Sequence, residues 1–228
     1  MPNYSGIWTL SQQAQAISAN NWPSPPPVIG QAYGGGYYAG SVSTAGNGVA
    51  DYYLVVSPLS TGESYLAWKN VATATPGADS TINGAQNTAD MVADGNSTVY
   101  PAAWFCKNLT IGGYTDWYLP SQYELEIIYY NLKPSTAGNT TSAGTNAYSV
   151  PPRTSNYTGG SPASNPAQTT VTAFRSTGTE YFNDIANYVG SNEVSTTNAY
   201  MKYFNNGAND SDNKTFPFNL RAIRKVAV

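Results

Sequence analysis

The sequence predicts an α+β domain, because helical periodicities and short β-rich runs occupy separate stretches joined by long segments dense in Gly, Pro, Ser, Thr and Asn. Three observations carry this. A capping box opens the strongest helix at Ser121; residues 52–56 are a β-branched and aromatic run; and residues 134–174 carry a single charge, Arg153, with neither periodicity. With 228 residues and 24.3 kDa, the chain can hide roughly 70% of its extended surface on folding, enough for one large domain with an appendage.

In chain order, Thr9 and Gln12 have capping-box spacing, and Leu10, Ala14 and Ile17 recur at helical intervals until Asn20, Asn21, Trp22 and Pro23 end the pattern. A short helix is expected over about residues 10–19. Pro23, Pro25, Pro26 and Pro27 favour an extended strap, which divides the chain into an N-terminal attachment or assembly arm, 1–28, and a main domain, 29–228. Residues 1–50 carry no charged side chain, so this stretch cannot repel an identical neighbour and suits an interface. From Val28 the texture turns to Gly and Tyr, then to the strand at 52–56, closed by Ser57-Pro58, and to a second strand candidate at 65–68. Residues 83–94 read as a helix ended by Gly95, with Ala85, Ala89 and Val92 on one face, and another short helix runs from about Pro101 through Trp104 and Cys106. After Pro120, the capping box of Ser121 and Glu124 leads a stripe of Leu125, Ile128, Tyr129 and Leu132 that stops before Pro134. Residues 198–204 and 220–226 read as strands separated by a polar turn that begins at Asn205-Asn206-Gly207.

Only 10% of residues are charged, against roughly 25% in an ordinary soluble domain, while aromatics reach 13% with Tyr alone at 19. The 22 Ser, 24 Thr and 23 Asn together make 69 of 228 residues, so hydroxyls and amides take the surface role that Lys and Glu usually fill. The chain has no histidine, which removes Ser-His-Asp and Cys-His pairs, the facial iron triad and nearly every catalytic zinc arrangement. Its single cysteine, Cys106, forms no internal disulfide and reads as an inert core residue between aromatic neighbours. The net charge is −3, the pI about 4.8, and five of the ten basic residues lie in the last 27 positions. No broad basic face is left for a phosphate backbone, so nucleic acid is not an expected partner. No apolar run approaches the ~20 residues that span a bilayer, and Met1-Pro2-Asn3-Tyr4 lacks the basic and apolar parts of a signal peptide, so neither membrane insertion nor export is expected.

Few side-chain groupings nominate chemistry. Glu124 and Glu126 are two apart on one helix and face different directions, which favours capping and solvation over shared acid/base work. Asp210 and Asp212, with Asn209 and Asn213, form an Asx-rich stretch of the oxygen type calcium takes, but lack the Gly and terminal Glu of an EF-hand loop. A plain turn is expected there, with no metal and no cofactor. Arg221, Arg224 and Lys225 alternate with Ala222, Ile223 and Val226 as a strand does, and at least one Arg is expected to pair with a buried carboxylate such as Asp116.

Two stretches resemble a known family. The first is Asn83–Thr88 with Tyr100-Pro101-Ala102-Ala103-Trp104-Phe105-Cys106 and then Gly113-Tyr114-Thr115-Asp116-Trp117-Tyr118-Leu119-Pro120-Ser121, followed by Glu124-Leu125. This resembles the Gly-x-x-Asp-Trp-x-Leu-Pro-x-x-x-Glu-Leu signature of the Lcl carboxy-terminal family of phage and bacterial surface proteins. The second stretch runs from Ala199-Tyr200-Met201-Lys202-Tyr203-Phe204 through Gly207 and Lys214 to Leu220-Arg221-Ala222-Ile223-Arg224, similar to that family's closing pattern. The matches cover about residues 30–226; where the family has a Tyr-Trp-Ser-Ser-Thr-Glu-like segment, this chain departs with Tyr188-Val189-Gly190-Ser191-Asn192-Glu193. The resemblance implies a C-type-lectin-like fold, shared with formylglycine-generating enzymes, with two main helices, small antiparallel sheets and long ordered loops. Activity does not carry over, because the enzyme branch uses a pair of cysteines, and the calcium-dependent sugar motifs Glu-Pro-Asn and Trp-Asn-Asp are absent as well. The segment from Ser5 to Pro23 resembles one that recurs in structural proteins of phages, cyanobacterial viruses especially.

The implied function is that of a non-enzymatic virion protein, a tail-fibre tip or receptor-binding protein that recognises a host surface polysaccharide or protein and is assembled in the host cytoplasm. The alternative is a structural virion component, a capsid decoration or tail adaptor, that touches only other virion proteins. A homo-oligomer is expected, and fibre symmetry makes it a trimer. Tyr148, Arg153, Tyr157 and Asn192, in loops that the fold would bring together, are the candidate receptor contacts.

Overall fold

The computed structural model describes residues 9–18 and 27–228. Helix α1 (Leu10–Ser18) fills the first expected helix, and the strap over 23–28 lies outside the described residues except for its last two positions. The main domain then runs β1 (Ala32–Tyr33), β2 (Gly36–Val42), β3 (Tyr52–Val56), the single turn α2 (Leu59–Gly62), β4 (Glu63–Ala67), α3 (Gly84–Asp94), α4 (Pro101–Lys107) and α5 (Gln122–Leu132). After α5 come β5 (Ser149–Val150), β6 (Asn187–Glu193), β7 (Asn198–Tyr203), β8 (Asn209–Asn213), β9 (Pro217–Arg221) and β10 (Ile223–Ala227). Helices and sheets are mixed in a way compatible with the α+β expectation. One sheet has the order β1-β2-β3-β10 with β5 added to β2, and the other has the order β4-β9-β6-β7-β8. Pairings are antiparallel apart from a parallel contact of β6 with β9. Among the described residues, no helix is long and apolar enough to cross a membrane.

Helix α5 is the centre of the molecule. Its capping box is formed: the Ser121 side chain accepts from the third helical N–H, and Glu124 Oε2 accepts from Ser121 N at 2.8 Å. The helix is buried on almost every side, with Leu125, Ile127, Ile128, Tyr129 and Leu132 in the core and Glu124 and Glu126 buried beside them. Strand β2 can lie directly on α5 because residue 40 is glycine: its φ is +136°, and a Cβ there would stand 2.6 Å from both Ile127 and Asn131. Asn131 uses that proximity to donate to Ala39 O at 2.8 Å, where β2 bulges against β3. One core, containing Val42, Leu54, Phe174, Phe182 and Phe204, forms around α5; a second, containing Trp68, Met91, Tyr100, Cys106 and Trp117, joins α3 and α4 to the second sheet. Cys106 is fully buried, and burial pushes its thiol above the ordinary range.

The two stretches that carry the family resemblance lie against each other. Tyr118 and Ile223 exchange both backbone hydrogen bonds, at 2.8 and 3.0 Å, and Arg224 grips Asp116 with two, at 2.7 and 2.9 Å. The expected Arg–carboxylate pair is therefore present, but Asp116 is half exposed rather than buried, and the Arg224 guanidinium lies 3.8 Å over the Tyr114 ring. Arg221 takes a different partner, Glu180 at 2.8 Å, with Glu63 at 3.4 Å.

Several expectations change. The run 220–226 is two strands, not one: Arg221 ends β9 in one sheet, Ala222 turns the corner, and Ile223 begins β10 in the other. The Asx-rich stretch is not a turn but the edge strand β8, because Asn198 through Lys202 of β7 offer it a continuous antiparallel ladder. Helix α3 has the expected bounds, but its buried side is Gly84, Asn87, Thr88 and Met91, while Ala89 is exposed. The burial is possible because the polar groups are satisfied: Asn87 bridges Ser80 and Ser191, and Thr88 Oγ1 donates to Gly84 O and accepts from Leu119 N. Glu126 is likewise enclosed rather than solvated. Strands β1, β2, β5 and β6 were not expected from the sequence; β2 and β6 are Gly-containing and lack clean alternation.

Candidate functional site

Glu126 sits one turn into α5 and is held by three groups from two other segments, strand β7 and the loop that carries Arg153 and Tyr157. Its Oε2 pairs with Lys202 of β7, its Oε1 accepts from the Tyr157 hydroxyl, and Arg153 stands 3.8 Å from Oε1. Lys202 also donates to Gly207 O at 2.7 Å and to Asn209 Oδ1 at 3.0 Å. Burial, opposed by Glu126, draws Lys202 below the ordinary lysine range; burial reinforced by Glu126 lifts the Tyr157 and Tyr200 hydroxyls well above theirs. Arg153 also donates to Gly144 O at 3.1 Å and Glu126 O at 3.4 Å, and lies 4.3 Å over the Tyr130 ring. The cluster locks helix, loop and hairpin into one body.

Above that cluster the surface is concave. A notch of about 80 Å³ opens between Gln122, Tyr123 and Glu126 of α5, the loop 142–145 and Asn209 at the start of β8. It continues into a shallow shelf of about 280 Å³ formed by Gln122, Val194, Tyr200, Asn209, Asp210 and Ser211. The loop is held in place by Asn146, whose Nδ2 donates to Tyr123 O at 3.1 Å and whose backbone exchanges hydrogen bonds with Arg153. Tyr123 and Tyr148 stand with ring centroids 5.1 Å apart at the rim. The lining is therefore mostly amide, hydroxyl and tyrosine, with two carboxylates, Glu126 paired to Lys202 and Tyr157 in the notch and Asp210 on the shelf.

The four residues nominated from sequence do gather here, around the first two turns of α5. Tyr148 and Arg153 are partly exposed, but Tyr157 is 3% exposed and Asn192 is 3% exposed. Neither of the last two has a surface to present: Tyr157 is a core residue spent on Glu126, and Asn192, in strand β6 rather than a loop, accepts from Gln122 N at 3.0 Å. They support the recess and do not line it. The lining residues Gln122, Thr145 and Asn209 were not nominated; Asn209–Asn213 is polar throughout and carries no strand periodicity, so nothing local marked β8.

No protein-family model matches this chain, and no curated protein matches it. The carboxylates at the recess are engaged by protein groups. Both Glu126 oxygens are occupied by Lys202 and Tyr157. Asp210 accepts from Tyr203 of β7 at 3.0 Å and from Ser211 N at 2.8 Å, Asp212 accepts from Asn213 N at 2.7 Å, and among the described residues no group of three acidic, His or Cys side chains could hold a metal ion.

A second concavity lies on the far side of the polar face of α3. Ala85, Ala89 and Val92, the residues expected on one face, line one wall of an apolar groove of about 370 Å³, opposite Asp116, Trp117 and Tyr118, while Ala85 and Val92 also pack in part against the cores.

Proposed function

We propose that this chain is a non-enzymatic phage virion protein whose recess at the start of α5 recognises a saccharide on the host surface, as a tail-fibre tip or receptor-binding protein would. The observation that carries the reading is the lining: uncommitted amides and hydroxyls beside a tyrosine pair, on a frame held rigid by buried ion pairs, match the hydroxyls and C–H faces of a sugar. A lectin-like fold is supported by the closure of the last strand, β10, onto β3 in the sheet that begins the domain. Multiple copies would multiply weak single sites into firm attachment, so a homo-oligomer, first to be sought as a trimer, belongs to the proposal.

The purified, labelled chain is expected to adsorb to susceptible host cells and to compete with whole phage, and Gln122→Ala is expected to weaken both while leaving the melting temperature unchanged. A folded, assembled preparation that neither adsorbs nor competes would sink the reading. The apolar groove on α3 favours a second reading, a structural virion component, because an apolar surface of that kind is a place for another protein to pack. That reading expects binding to virion proteins alone.

A further inference from the structure

Within the saccharide reading proposed above, on which this inference rests, we infer that the notch takes the acetamido group of an N-acetylated amino sugar. Asn209 decides it. A lysine ammonium and the Tyr200 hydroxyl both donate to Asn209 Oδ1, at 3.0 and 2.7 Å, and since an ammonium has no acceptor the amide can lie only one way round. Its Nδ2 donates to no described residue and is left as a fixed pair of donors at the junction of notch and shelf. The Gln122 side-chain amide, at the same junction, likewise hydrogen-bonds to no described residue.

Such a site wants an oxygen acceptor, carbonyl or carboxylate. Charge selects between them. The two nearby cations are already committed, Lys202 to Glu126, Gly207 O and Asn209, and Arg153 to Gly144 O, Glu126 and the Tyr130 face. A carboxylate would lose its water without meeting a free cation, and Asp210 on the shelf would repel it, whereas a neutral amide carbonyl meets neither penalty. Size agrees. A notch of about 80 Å³ holds the equivalent of a few waters, room for a substituent and not a ring, while the adjoining shelf of about 280 Å³ accommodates the ring, with exposed Val194 against its C–H face.

The test is titration calorimetry of the full chain with three probes: tri-N-acetylchitotriose, the same trimer without its acetyl groups, and trigalacturonate. The acetylated trimer is expected to bind, and the other two about tenfold more weakly or worse. Asn209→Asp replaces the two donors by an acceptor while keeping an oxygen for Lys202, and Gln122→Ala removes a side chain that holds nothing; each is expected to weaken the acetylated trimer about tenfold, Gln122→Ala with no change in melting. If the deacetylated or acidic trimer binds as well and Gln122→Ala weakens it, the acetamido assignment is overturned and the recess remains a saccharide site. If none of the three binds, the assignment is also overturned; should the chain then adsorb to host cells with both variants unimpaired, the recess loses its role altogether.

Discussion

Glu126 shows how little a sequence position reveals about a charge. Read on a helical wheel it is a solvated neighbour of the capping Glu124; in the fold it is enclosed with Lys202, and removing one partner strands the other. Glu126→Leu is expected to cost about 3–5 kcal/mol in urea unfolding, and Glu126→Leu combined with Lys202→Met is expected to recover most of that. A double variant no more stable than the single one would show that the pair is not what the buried lysine needs. Lys133 is the contrasting case. It is fully buried with no carboxylate partner among the described residues, donating to Ala137 O and to Asn139 Oδ1, and burial pulls its pKa down to about 8. The fold thus disfavours its charged form, the unfolded chain binds the proton more tightly between about pH 8 and 10.5, and the stability linked to this group is lost as pH falls through that window. Tyr118, Tyr157 and Tyr200 act in the opposite sense: their hydroxyls are raised, so their contribution is present below pH ~10 and lost above it. Unfolding free energy is expected to climb from pH 8 toward 10 and then fall, and Lys133→Met is expected to flatten the climb; an unchanged climb in that variant would assign it to another group.

Single positions matter through the elements they let approach one another. Gly40 is the point where β2 touches α5, and Gly40→Ala combines an unfavourable φ with a collision against Ile127 and Asn131. A loss of about 1–3 kcal/mol is expected by chemical denaturation, and a neutral result would mean that β2 can lift from the helix without penalty. Ser121→Ala, which breaks the capping box of α5, is expected to cost about 1 kcal/mol, visible in the same assay. That cap is also why the bounds and apolar stripe of α5 were legible in the sequence, since its start, its stop and its stripe are local signals. Helix α3 was legible only in its bounds. Which side faces inward was set by Ser80, Leu119 and Ser191, partners that satisfy Asn87 and Thr88 and that no helical pattern reveals. β8 was illegible for a related reason, since Asn209–Asn213 has the composition of a turn and becomes a strand only because β7 lies beside it.

Across the whole molecule, scarcity of charge is the organising fact. Six of the ten basic side chains are drawn into ion pairs with little exposure, so the face that remains is made of amides, hydroxyls and tyrosines. On the proposed reading, the two concavities would serve two roles. Ala89→Arg in the α3 groove is expected to leave fold and host-cell adsorption intact and to block attachment to virion partners if the groove is an assembly surface; Gln122→Ala is expected to do the reverse. Adsorption lost on Ala89→Arg and kept on Gln122→Ala would exchange the two assignments. The sequence by itself determined the class of domain, the helices with local caps, the weak electrostatic character of the surface and the absence of histidine and disulfide chemistry, because each follows from composition or from contacts within a few residues. Tertiary structure alone decided that Tyr157 and Asn192 are supports, that Gln122, Thr145 and Asn209 form the lining, and that the alanines of α3 face a groove. Those outcomes depend on hydrogen bonds and ion pairs between segments as far apart as Glu126 and Lys202, and burial of a polar side chain is settled only by whether such a distant partner is there to satisfy it.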